Sequence, residues 1–168
     1  MGYVFYGAAL QGAQDRALRA SHHAELIDYI KFLGFEVATE HTRGKTRKES
    51  AEYLENSIGP LPPPGVERTR YVRDKMIEAV EGDAVALVFE VSQPSLGTGI
   101  EFAHAYLRPR MGLSACPVLA LYQRGFWKNK LSTMIAGIDP AKTPPITQKQ
   151  YADLGEAKKT IKNFLKRI

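Results

Sequence analysis

The sequence predicts one α/β domain built on a doubly wound parallel sheet of about five strands, and three observations predict it. Short β-branched and aromatic runs alternate with longer helix-compatible segments along the whole chain. Ala84 to Phe89 (AVALVF) is a nearly continuous apolar run of strand length, which suits the buried centre of a parallel sheet. The 168 residues make one domain with one core, spanning 1–168.

The elements follow in order. Tyr3 to Ala8 (YVFYGA) reads as the first strand. From about Gln14 to Leu33, the residues Leu18, Leu26, Ile27, Ile30 and Leu33 can share one helix face, and Gly34 supplies a stop. Phe35 to Thr39 is a second short strand, and residues 42 to 57 are charged and helix-tolerant. Gly59 to Gly65 (GPLPPPG) excludes regular structure, because proline lacks a donor and restricts its predecessor. Glu67 to Glu81 is a helix with Val72, Met76, Ala79 and Val80 as its apolar stripe. After the Ala84–Phe89 strand come a helix from Ser95 to about Leu107 and a strand from Pro117 to Tyr122. A short helix at Leu131–Ala136, a weak fifth strand near Pro145–Thr147 and a basic helix from Leu154 complete the chain.

Composition excludes several classes. Hydrophobic residues at 44% and charged residues at 24% are ordinary for a globular protein. Cys116 is the single cysteine, so no intramolecular disulfide forms, which fits a reducing compartment. The first residues show neither a signal peptide nor a myristoylation motif, and no run is long enough for a membrane span. The expected location is the cytoplasm, or the nucleus of a eukaryotic cell. A net charge of +5 suits an anionic partner, but no nucleic-acid-binding signature is present, so polymeric nucleic acid is not expected.

Candidate chemistry concentrates in Glu90 to His104, E-V-S-Q-P-S-L-G-T-G-I-E-F-A-H. Ser95 can cap a helix there, Gly97 and Gly99 permit close backbone approach, and the helix start favours an anion such as phosphate. Glu101 should lie at the strand-end crevice, where a carboxylate can attack an anomeric carbon. The plainer reading makes Glu101 a first-turn residue complementing the helix dipole. Asp74 is off its helix's apolar stripe, and either lines a cleft or faces water. Arg43, Lys45, Arg47 and Lys48, and Arg68, Arg70, Arg73 and Lys75, are phosphate binders or solvated faces. His22 and His23 read as surface residues, and His41 follows the second strand at the active edge. No metal-ligand spacing, GxSxG elbow or Walker A loop occurs, so neither metal nor cofactor is expected.

Q-P-S-L-G-T-G-I-E at 93 to 101, with G-A-A-L-Q-G at 7 to 12, T-E-H at 39 to 41 and L-S-T-M-I at 131 to 135, resembles the 2'-deoxynucleoside 5'-phosphate N-hydrolases of the nucleoside 2-deoxyribosyltransferase superfamily. The resemblance implies a Rossmann-like or flavodoxin-like domain, usually homodimeric, that cleaves the bond between base and sugar without a cofactor. It implies Glu101 as nucleophile and Asp74 as the second carboxylate. It implies Gly7, Gly12, Ser95, Gly97 and Gly99 around the substrate, His41 on the substrate side, and Ser132 reaching the partner subunit's phosphate site. This sequence carries Ala8, Leu10 and Ala13 where the family places a serine and two arginines toward the 5'-phosphate.

The expected activity is therefore hydrolysis of (deoxy)nucleoside 5'-monophosphates through a covalent glycosyl-Glu101 intermediate. Transfer of the sugar to a second base, hydrolysis of unphosphorylated nucleosides, and a catalytically silent nucleotide-binding module are the alternatives.

Overall fold

A computed structural model describes residues 2–10, 15–126, 131–141, 143 and 146–168. Five strands, β1 (Tyr3–Ala8), β2 (Glu36–Val37), β3 (Ala86–Glu90), β4 (Val118–Gln123) and β5 (Ile146–Tyr151), form one parallel sheet in the order β2-β1-β3-β4-β5. The helices are α1 (Arg16–Phe32), α2 (Arg47–Ile58), α3 (Val66–Glu81), α4 (Leu96–Leu107), the single turn α5 (Thr133–Ala136) and α6 (Leu154–Leu165). This is the predicted α/β fold.

Strand alternation explains why β1, β3 and β4 read as continuous apolar runs. Val4, Tyr6, Ala86, Val88, Leu119 and Leu121 pack on one face, against Leu26, Ile27 and Ile30 of α1 and Ile161 and Phe164 of α6. Phe5, Leu87, Phe89, Val118 and Ala120 pack on the other, against Val80 of α3 and Phe102 and Ala105 of α4. Both faces are covered, so both residue sets must be apolar.

Three expectations need correction. The buried stripe of α1 runs through Arg19, Ala20, His23, Leu26, Ile27 and Ile30, while Leu18 is 51% exposed. His23 is accordingly a core residue with no exposed surface. The fifth strand is six residues long and pairs with β4 from Ile146 to Tyr151. Its Lys149 and Gln150 face solvent along the sheet margin, which is why hydrophobicity alone understated it.

The GPLPPPG segment is irregular, as its prolines require, yet it is tied down. Arg68 Nε donates to the Pro62 carbonyl at 2.5 Å, and the Tyr71 hydroxyl donates to the Ile58 carbonyl at 2.6 Å. Among the described residues, no helix is long and apolar enough to cross a membrane.

Candidate active site

Strand order reverses direction at the β1–β3 pair, since β2 lies beyond β1 and β4 beyond β3. Crevices outside the carboxyl ends of such strands are where open α/β sheets bind ligands. Ala8 and Glu90 pair directly at that edge. The two connections leaving it are the first loop, from Ala9, and the Val91–Ser95 turn into α4.

The turn folds as its residue types dictate. Ser95 is extended, and its Oγ accepts a hydrogen bond from the Thr98 backbone N–H at 3.3 Å, capping α4. A methyl group built on Gly97 would come no nearer than 3.9 Å to the Ser95 hydroxyl, and one on Gly99 would meet nothing within 4 Å. Glycine inside a helix costs roughly 1 kcal/mol relative to alanine. Packing within this chain therefore does not require either glycine, and both leave open space beside the helix start.

A cavity of about 540 Å³ opens beside this turn. Ser92, Gln93, Ser95 and Thr98 give it a polar side, Phe102 and Tyr106 an apolar one, and Ser132 of the same chain lines it too. Ser95, Gly99 and Ser132 are thus brought together. Leu96 and Met134, 91% and 81% exposed, also line it.

Glu101 lies elsewhere on α4 and does not line that cavity. It is partly buried, and burial pushes its carboxyl up to about 7. It has no hydrogen-bond or ion-pair partner among the described residues. One turn on, His104 Nδ1 meets Glu81 Oε1 of α3 at 2.6 Å. Asp74 precedes Glu81 by seven residues, about two helical turns, so the two share a stripe of α3. That stripe therefore borders the α4 flank bearing His104. Asp74 itself is 61% exposed and pairs with Arg73 at 2.9 Å.

The remaining expected positions scatter. Gly7 is buried in β1, where a methyl group would come within 2.5 Å of the Phe89 ring, so its small size serves strand packing. Ala8 and Leu10 are buried apolar residues. Gly12 and Ala13 lie outside the described residues. His41 sits in a 3-10 turn (His41–Arg43), and burial, then the Arg16 charge, hold its imidazole down to about 4. Its Nδ1 is buried without a partner.

One of the basic residues, Arg43, is held by partners within the chain. Arg43 pairs with Glu40 at 2.6 Å and Asp28 at 2.9 Å, and its guanidinium lies 5.3 Å from the centre of the Tyr53 ring. Thr39 serves β1, its Oγ1 donating to the Tyr6 carbonyl at 2.7 Å and accepting from the Tyr6 N–H at 3.2 Å. Among the described residues, no group of three or more His, Cys, Asp or Glu side chains is arranged to hold a metal ion.

Sequence reasoning missed the buried network beneath the crevice, in which Arg19 pairs with Glu90. The one available signal was an acidic residue closing a strand that is otherwise wholly apolar.

No family model matches the chain. A curated protein of Syntrophotalea carbinolica, named "Putative 2'-deoxynucleoside 5'-phosphate N-hydrolase 1", is 39% identical over 83 residues. The match covers 49% of this chain and 50% of that relative, so it spans about half the length of each. It supports the family resemblance carried by the QPSLGTGIE and GAALQG strings, that of the 2'-deoxynucleoside 5'-phosphate N-hydrolases.

Proposed function

We propose that the protein hydrolyses the N-glycosidic bond of (deoxy)nucleoside 5'-monophosphates, releasing free base and sugar phosphate. One observation carries the reading: Glu101, behind the capped turn at the β1–β3 switch point, is a partly buried carboxyl with no partner among the described residues and a raised pKa. A structural carboxylate at a helix start would be solvated or paired. One left alone in a low-dielectric setting is poised for chemistry.

In this reaction the ionised Glu101 attacks C1' of the sugar. The C1'–N bond breaks, its electron pair leaves with the base, and a proton delivered to the base completes departure. Water then attacks C1' of the glycosyl ester, regenerating the Glu101 carboxylate and giving the sugar its anomeric hydroxyl. Asp74 handles the sugar and the proton once it leaves Arg73 for the substrate. In a competent site the two carboxyl groups lie roughly 5 to 5.5 Å apart. Ser95, Gly97, Gly99 and the α4 N-terminus take the phosphate, with His41 on the substrate side. The mechanism uses no cofactor. A homodimer in which Ser132 supports the partner's phosphate site belongs to the same reading, and the exposed Leu96, Ile100 and Met134 give its interface apolar area.

Buried Ala8 and Leu10 favour a second reading, a nucleoside hydrolase or deoxyribosyltransferase acting without the 5'-phosphate. A panel of ribo- and deoxyribonucleosides and their 5'-monophosphates, assayed for free base with and without an acceptor base, separates these. Base released from monophosphates alone supports the hydrolase. Release only from nucleosides, or a new nucleoside formed with the acceptor, replaces it with the second reading.

A further inference from the structure

A buried polar network lies under the crevice. Glu90 ends β3 and is 1% exposed, while Arg19 of α1, its ion-pair partner, is 4% exposed. Glu90 Oε1 accepts from the Ser92 hydroxyl and, at 2.9 Å, from the Tyr151 hydroxyl at the end of β5. Ser92 Oγ accepts in turn from the Gln123 backbone N–H at 2.6 Å. Arg19 donates to the Gln123 side chain at 3.2 Å, and its guanidinium lies 4.6 Å from the centre of the Phe126 ring. One carboxylate thus links α1, the β3–α4 turn, the end of β4 and the end of β5.

Stability is a poor explanation for this arrangement. Removing two charges from water is costly, and apolar replacements of a buried pair are often neutral or stabilising. Geometry is what the network supplies. Ser92 and Gln93 line the cavity, Ser95 caps α4 three residues on, and Glu101 follows within two turns. On the other side, Arg19 sits in the first turn of α1, which Asp15 caps at 2.9 Å through the Leu18 N–H. The Arg19–Glu90 contact therefore registers the start of α1 against the end of β3, from which the β3–α4 turn leaves.

We infer that Glu90, held by Arg19, is a positioning residue for the reaction at this crevice. It sets the β3–α4 turn, and with it Ser95 and Glu101, relative to the start of α1. The inference rests on the N-glycosidase reading for its kinetic readout, and stands apart from it in its structural one.

The test compares Glu90→Met, Arg19→Met and the double variant with the parent chain. Each single variant strands a buried charge and lowers the melting temperature; the double variant removes both charges and regains it. Turnover does not recover with it: kcat stays about tenfold or more below the parent while KM changes by less than about threefold. The hydrogen-bonded amides around the turn, those of Val91, Thr98, Gly99 and Gln123, also exchange about tenfold faster in the double variant. A double variant that regains stability, kcat and amide protection together shows a purely structural pair and overturns the inference. Should it fail to fold, Tyr151→Phe removes one donor only, and is expected to lower kcat about two- to fivefold with faster exchange at the Val91 and Gln123 amides. Unchanged kcat and exchange in that variant overturn the inference equally. If the parent turns over no nucleotide or nucleoside, the N-glycosidase reading fails, while the exchange data still decide the role of Glu90.

Discussion

The Tyr6 hydroxyl and His23 Nδ1 lie 2.9 Å apart in the core between β1 and α1, and neither residue has exposed surface. Burial first, and the Arg19 charge second, hold His23 down to about 3. His41 is held down to about 4 by burial and Arg16. Both imidazoles are neutral when folded, whereas the unfolded chain protonates them near pH 6.5.

Their stabilising contribution is therefore fully present above pH 6.5 and is lost as pH falls through the folded values. For His23 the loss is on the order of 2 to 3 kcal/mol by pH 4.5. Thermal melts from pH 8 to pH 4 should show this acid destabilisation, and His23→Gln should flatten it. An equally steep decline in that variant would remove His23 as its source.

Glu101 acts with the opposite sign. Its folded value near 7 exceeds the ordinary carboxylate value, so its contribution is full below about pH 4.5 and is lost as pH rises through 7. Glu101→Gln should leave the fold intact, abolish turnover, and stabilise the protein at pH 8 by up to about 3 kcal/mol, fading toward pH 4.5. Under the N-glycosidase reading, kcat/KM of the parent protein should rise with pH through an apparent value near 7, because in that reading only ionised Glu101 attacks. Melts of the two proteins across pH, with a kcat/KM profile of the parent, check this. A stability difference that does not vary with pH would contradict the burial of this carboxyl.

Ser95→Ala removes the cap that holds Thr98 N–H and should cost about 1 kcal/mol, while Ser95→Gly should cost only a few tenths. Chemical denaturation reads both. Under the monophosphate reading, the alanine variant should also narrow the preference for monophosphates over nucleosides, a change visible in KM ratios.

Gly7→Ala drives a methyl group into the Phe89 ring at the heart of the sheet and should destabilise by about 1 to 3 kcal/mol. A neutral substitution would mean that the Phe89 ring moves aside freely.

The fold was legible because burial on both faces forces β1, β3 and β4 into apolar runs, and because Ser95, Gly34 and the prolines punctuate the helices. What escaped depends on pairings across long separations. His23 reads as surface until Tyr6, on a neighbouring strand, is seen beneath it. Glu90 reads as the end of a strand until Arg19, 71 residues earlier, arrives to neutralise it. β5 reads as weak because, at the margin of the sheet, its middle residues Thr147 to Gln150 are polar and only Ile146 and Tyr151 at its ends are buried. Ser95, Gly99 and Ser132, named from turn chemistry and family likeness, line one cavity. The position of Asp74, exposed and paired with Arg73, depends on how α3 is rotated against α4, which periodicity does not fix.

The most direct test of the central claim is mass spectrometry of the Glu101 peptide after rapid acid quenching of the enzyme with a deoxynucleoside 5'-monophosphate. A sugar-phosphate ester on Glu101 is expected, forming as base is released and absent from Glu101→Gln. Base release with unmodified Glu101, persisting in Glu101→Gln, would contradict it.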